Sequence, residues 1–172
     1  MLLSENEEWI ERARYLSTQA REPVRHYEHQ AIGYNYRLSN VLAALGTSQL
    51  SRLQGCMGRR KVHFEAYRDA FSGIEAFRMM PLSSTGEPNF WLSCLLVGEW
   101  REGLIDALER HSIEARPLWK PLHLQPVFSS YTCFGGTVAE GLFSEGICLP
   151  SGSGLTSVER DRVIDVVLTC CK

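Results

Sequence analysis

The sequence predicts an α+β fold: an N-terminal helical arm followed by a small sheet covered by helices. Over about 5–18 and again over 39–72 the apolar residues recur at the 3.6-residue helical period. From residue 74 onward, short Pro-containing apolar runs alternate with single amphipathic helices, the pattern of a small sheet with helices on one face. The length of 172 residues suits one ordinary domain, or a small domain with an attached arm. The expected division is 1–72 for the arm and 73–172 for the sheet domain.

Ser4 followed by Glu7 forms a capping-box pattern, and Trp9, Ile10, Ala13 and Leu16 follow at helical spacing, so 5–18 reads as a helix. Residues 19–37 lose that period and carry Pro23, two His and three Tyr, which reads as a long loop. Ser39 can cap the next helix, and Leu42, Leu45, Gln49 and Leu53 give it one broad apolar stripe. The pattern continues to Phe71, with a break expected at Gly55 and Gly58, since each glycine lowers helix propensity by ~1 kcal/mol. That stripe must bury itself in the domain's own core or in a subunit interface. Ile74–Met80 and Asn89–Val97 read as strands joined by the polar turn Ser83–Gly86. Residues 100–111 read as a helix, 113–117 as a strand, 118–135 as a Pro- and aromatic-rich loop. A short helix at 138–144 and a strand at 147–150 precede a last helix, opened by the capping box Thr156 and Glu159.

Composition narrows the function. An apolar share of 44% and a charged share of 22% are globular values, and a net charge of −2 offers no basic face for nucleic acid or an anionic membrane. No apolar run approaches the ~20 residues of a membrane span, and the start Met1-Leu2-Leu3-Ser4 turns polar at once, unlike a signal peptide. Six Cys occur without a Cys-x-x-Cys pair or a His cluster at zinc spacing, so no metal site is expected. A reduced, cytoplasmic setting is the expectation. The cations are fifteen Arg and three Lys, namely Lys61, Lys120 and Lys172. Arg is the better planar partner for carboxylate or phosphate, although source composition is the plainer account of the bias.

Read alone, the residues carry modest chemical signals. No phosphate-binding Gly-x-Gly-x-x-Gly or Walker loop is present. Gly152-Ser153-Gly154 precedes a helix, a place where free amides bind anions, and also the form of a plain loop before a cap. His123 lies between Pro121 and Pro126 and can act as acid, base or anion donor, or be incidental.

Several blocks read in order are more specific. Gly33-Tyr34-Asn35-Tyr36-Arg37-Leu38-Ser39-Asn40 runs into Ala43-Ala44-Leu45-Gly46 and Gln49-Leu50. Arg59-Arg60, Ala115-Arg116-Pro117, Pro121-Leu122-His123-Leu124-Gln125-Pro126 and Leu149-Pro150-Ser151-Gly152-Ser153-Gly154-Leu155-Thr156 follow. This series resembles the C-terminal part of the DegT/StrS-type nucleotide-sugar aminotransferases, fold-type I pyridoxal-phosphate enzymes, from about residue 5 to the end. The resemblance implies amino transfer, usually from glutamate, to a nucleotide-linked keto-sugar. It implies that Asn35 reaches across a dimer to the cofactor phosphate of the other subunit. It makes Arg37 a donor for substrate or cofactor anions, and sets His123 on the substrate side of the cleft. Tyr34 and Tyr36 line the site or pack the loop.

The sequence departs from the family at the lysine that holds the cofactor covalently. Lys61 falls in a predicted helix, Lys120 in the loop before His123, and Lys172 at the end; none matches. The ring-pairing carboxylate and the stacking aromatic have no counterpart either. No catalytic residue is therefore assigned, and the expectation is that this chain alone binds no pyridoxal phosphate. Three readings follow: the C-terminal part of an aminotransferase, inactive alone; a non-catalytic dimerisation or partner-binding module; or a product without selected activity. The expected partners are a second copy or an aminotransferase large domain.

Overall fold

Burial along two strands decides how the sheet is covered. The computed structural model describes residues 2–170, so Met1, Cys171 and Lys172 lie outside the described residues. The chain divides into two compact units, Met1–Ser51 and Arg52–Lys172.

In the second unit, β2 (Ser93–Leu96) pairs antiparallel with β4 (Gly146–Leu149), opposing Leu95 to Ile147 and Cys94 to Cys148. Successive strand residues point to opposite faces. Leu95 and Ile147 are fully buried, whereas Cys94 and Cys148 on the other face are half-buried. The edges are β1 (Arg78–Met79) on β2 and β3 (Arg116–Pro117) on β4, giving the order β1-β2-β4-β3, antiparallel throughout. The buried face packs against α3 (Leu53–Phe71), α4 (Arg101–Arg110) and α6 (Ser157–Cys170). Its core joins Tyr67 and Phe71, Leu104 and Leu108, and Val163 and Val167 to the strand residues. Each such side chain contributes about 1.5–3 kcal/mol when withdrawn from water. The fold is the α+β class expected, a four-stranded sheet with helices.

The strands are shorter than the sequence suggests. Ile74 donates to the Phe71 carbonyl and Phe77 to the Ile74 carbonyl, so the start of the expected Ile74–Met80 strand is a turn. Phe90 has φ +51°, which ends extended backbone before β2 begins. Arg60 and Ser151 both donate to the Trp91 carbonyl, at 2.7 and 3.1 Å, tying α3 and the segment after β4 to this bend.

The helices follow their caps. Thr156 and Glu159 form the reciprocal box, Thr156 N–H to Glu159 Oε2 at 2.8 Å and Glu159 N–H to Thr156 Oγ1 at 3.2 Å. The break expected at Gly55 and Gly58 lies instead at Ser51 and Arg52, and both glycines sit inside α3. A loss of ~1 kcal/mol per glycine is small beside the burial of Phe64, Tyr67 and Phe71 on the same helix. The contact boundary accordingly falls after Ser51, with α3 grouped with the sheet rather than with the arm as the 1–72 division has it.

In the first unit, α1 (Glu7–Ser17) is capped by Asn6, which accepts from Trp9 N–H at 3.2 Å, and not by Ser4. Ser4 accepts from Asn6 N–H at 3.1 Å, two residues too early to serve the helix. α2 (Asn40–Leu50) is capped by Ser39, accepting from Leu42 N–H at 3.3 Å. In the second unit α5 (Thr137–Glu145) leads directly into β4.

Candidate cofactor- and substrate-facing loops

An α-helix leaves its last carbonyls without intrahelical donors. At the end of α1 the segment carrying Asn35 supplies them. Tyr34 N–H donates to Leu16 C=O at 2.7 Å and Tyr36 N–H to Ser17 C=O at 3.0 Å, while Gln19 N–H returns to Tyr34 C=O at 2.9 Å. The chain passes so closely that a Cβ on Gly33 would stand 2.2 Å from the Ala20 nitrogen and the Gln19 carbonyl carbon. Only glycine fits there. Gln19 and Ala20 on the other side hold φ of +66° and +50°, a costly conformation fixed by the crossing.

Alternation in this extended segment stacks Tyr34 on Tyr36, with ring centroids 5.3 Å apart and planes within 9°. Asn35 stands between them and lines a hollow with Thr18, Gln19, Arg21, Glu22 and Arg37. Among the described residues neither the Asn35 amide nor the Arg37 guanidinium has a hydrogen-bond partner, and both are exposed. They are free donors for an anion. The rest of the loop is tied down: Tyr15 OH donates to Glu22 at 2.7 Å, which holds the phenol above its ordinary value, and Arg21 lies over the Tyr27 ring at 4.3 Å.

His123 belongs to the second unit, in a 3-10 turn Leu122–Leu124. Its Nε2 lies 2.8 Å from Glu140 Oε1, with a side chain 22% exposed. Gly136, at φ +111°, begins α5 and lies under the imidazole, where a Cβ would approach Cε1 to 2.7 Å. Phe128, Tyr131 and Phe134 complete a small hollow beside the ring. Glu140 fixes the orientation of the imidazole through this contact. Glu140 and Gly136 are not among the sequence-predicted site residues. The Gly135-Gly136 pair before α5 was the available signal, since it sets Glu140 on the first turn.

Elsewhere the loop Gly152–Gly154 is a turn, with Leu155 N–H on Gly152 C=O and Arg59 Nε donating to Ser153 C=O at 2.9 Å. The helix start beyond it already holds a carboxylate, Glu159, whose pKa is lowered by the Thr156 amide and hydroxyl. Lys61 lies 3.9 Å from Glu65 on the surface of α3, Lys120 is exposed, and Lys172 lies outside the described residues. The unit that carries Asn35 and Arg37 has no lysine. The Asn35 amide and the Arg37 guanidinium are donors of the kind that suits the anionic phosphate end of pyridoxal phosphate.

The model of the DegT/DnrJ/EryC1/StrS aminotransferase family matches residues 1–168. The chain belongs to this family. Within it, the chain is 45% identical over 174 residues to "Putative pyridoxal phosphate-dependent aminotransferase EpsN" of Bacillus subtilis, covering 98% of this chain and 45% of that protein. It is 29% identical to GDP-perosamine synthase of Caulobacter vibrioides, covering 95% of this chain and 46% of that one. Among solved structures, the aminotransferase TlmJ of Streptoalloteichus hindustanus superposes with a TM-score of 0.86 at 24% identity, over 97% of this chain and 46% of that one. Helicobacter pylori PseC superposes with a TM-score of 0.84 at 20% identity, over 97% and 47%. These last two establish the shared fold. The family is pyridoxal-phosphate dependent and acts on nucleotide sugars. This member spans about half the length of the relatives it matches.

Proposed function

We propose that this chain is the C-terminal part of a pyridoxal-phosphate-dependent nucleotide-sugar aminotransferase, one that moves an amino group from glutamate to a keto-sugar. The observation that carries this reading is the Gly33–Arg37 segment, pinned to the end of α1 with two unpaired donors. Asn35 donates its amide to the cofactor phosphate of a neighbouring subunit. Arg37 offers a planar pair of N–H groups to an anionic part of the substrate. His123, held by Glu140, presents its imidazole on the substrate side. Pyridoxal phosphate, when bound, supplies the electron sink for the transfer. No lysine of this chain matches the family's cofactor-linking position, so the chain is inactive by itself and binds no cofactor covalently.

A second reading, a non-catalytic dimerisation or partner-binding module, is favoured by one observation. In the unit Met1–Ser51, Ala20 is the one buried apolar residue among those described, while Ile32, Tyr36, Val41 and Leu50 are exposed. So few buried groups do not sustain a unit of this size without a covering surface.

The test is complementation. The purified chain is mixed with a lysine-bearing N-terminal half of a family aminotransferase, glutamate and a nucleotide-linked keto-sugar. Amino transfer is expected in the mixture alone, and Asn35→Ala weakens cofactor retention by about tenfold or more, the loss of a hydrogen bond to a charged group. Transfer by the chain on its own, or a borohydride-stable pyridoxal adduct on one specific lysine, would refute the aminotransferase-part reading. A complex that forms without transfer favours the binding module.

A further inference from the structure

We propose that Cys94 and Cys148 are a redox-sensitive pair that closes reversibly to a disulfide across the two central strands of the sheet. Their sulfurs lie 4.0 Å apart and their residues are direct partners in the β2–β4 register. Backbone direction makes this pairing more specific. Cys94 C=O accepts from Met80 N–H, on the β1 side, whereas Val97 N–H, three residues on and of opposite parity, reaches Glu145 C=O on the β4 side. Cys94 therefore turns its main-chain groups away from β4, and Cys148 faces Arg116 of β3 in the same way. They form a non-hydrogen-bonded pair, the closer of the two antiparallel arrangements, with Cα atoms about 4.5 Å apart. That spacing lies inside the range a disulfide spans without backbone movement.

The rest of the environment agrees. Both side chains sit on the face opposite Leu95 and Ile147 and are half-buried, so a small oxidant reaches them without unfolding the core. The two thiols share a hydrogen bond. The first proton leaves below the ordinary thiol value because the remaining S–H donates to the thiolate, and the second leaves above it, opposed by that same hydrogen bond and then by burial. One attacking thiolate is thus favoured beside one proton-bearing partner, the arrangement that thiol–disulfide exchange uses.

The oxidant is a small disulfide such as oxidised glutathione. One protein thiolate attacks an oxidant sulfur, the oxidant's S–S bond breaks, and one glutathione leaves and takes up a proton. The second protein cysteine loses its proton and attacks the protein-bound sulfur of the mixed disulfide, releasing the second glutathione. Two protein thiols are oxidised and one oxidised glutathione is reduced to two thiols. The bond closes a loop spanning 54 positions and fixes the register at mid-sheet.

The test equilibrates the wild-type chain with oxidised glutathione, blocks the remaining thiols and digests without reduction. The expected result is a linked peptide pair holding Cys94 and Cys148, about 2 Da lighter than the two reduced peptides together, and full reversal by dithiothreitol. The oxidised chain melts about 5 °C or more above the reduced chain, as loop closure in the unfolded state requires. Cys94→Ser loses the link and retains a glutathione adduct on Cys148. Cys94 and Cys148 both recovered alkylated, or each carrying its own glutathione with no linked peptide, would overturn the proposal.

Discussion

His63 lies on α3 with 5% of its surface exposed, and neither ring nitrogen makes a well-formed hydrogen bond among the described residues. Burial lowers its pKa from the ordinary 6.5, and the Arg160 charge lowers it further, against a slight opposing effect of the Leu155 backbone. The unfolded chain then takes up the proton first as the pH falls. Stability is full above about pH 6.5 and declines as the pH drops from there through the lowered folded value. His63→Leu removes both the titration and the unpaired ring N–H. The variant is expected to match or exceed wild-type stability at pH 7 by up to about 1 kcal/mol, with a flatter profile toward pH 5. Urea unfolding at a series of pH values measures this, and parallel profiles for the two proteins would reject it. Nothing in the sequence marks His63 as buried, because it precedes Phe64 on a helix whose apolar stripe is broad enough to admit either neighbour.

At the scale of elements, α4 ends in a left-handed closure usually occupied by glycine. Ser112 has φ +55°, its N–H donates to Glu109 C=O, and Ile113 N–H donates to Leu108 C=O. Ile113 packs into the core just beyond. Ser112→Gly relieves the left-handed strain and raises stability by about 1 kcal/mol, read as a higher denaturation midpoint with unchanged slope. An unchanged or lower midpoint contradicts that account.

Elements were legible wherever short-range chemistry defines them. The Ser39 cap and the Thr156–Glu159 box stand in the sequence as they do in the structure. The α2–α3 break was not legible, since long-range burial keeps Gly55 and Gly58 helical. The strands end earlier than the apolar runs suggest because a local turn, Ile74 N–H on Phe71 C=O and Phe77 N–H on Ile74 C=O, shortens the first, and Arg60 and Ser151 from distant segments hold the bend at Trp91 before the second.

For the whole molecule, the exposed apolar residues of the first unit set the expectation. Ile32 is 85% exposed, Val41 78% and Leu50 68%. We expect self-association of the purified chain, with light-scattering mass rising with concentration, and Val41→Glu shifting it toward monomer by placing a charge on the apolar surface. A monodisperse wild-type monomer at high concentration counts against this. At this scale the family and the fold were readable from ordered blocks of residues. The His123–Glu140 pair and the Cys94–Cys148 register were not. The first joins residues 17 positions apart through a glycine turn, and the second depends on strand pairing over 54 positions.

The crossing of Gly33 over Gln19 and Ala20 also has a kinetic consequence. Three amide protons in a stretch of irregular backbone, those of Gln19, Tyr34 and Tyr36, are held by the end of a helix and by each other. Their exchange with deuterated solvent is expected to follow the fraying of the last turn of α1 and to occur as one event. Gly33→Ala cannot keep the crossing, and all three amides then exchange at rates of an open chain while those in α6 keep their protection. Separate rates for the three in the wild type would show that the loop and the helix end open independently.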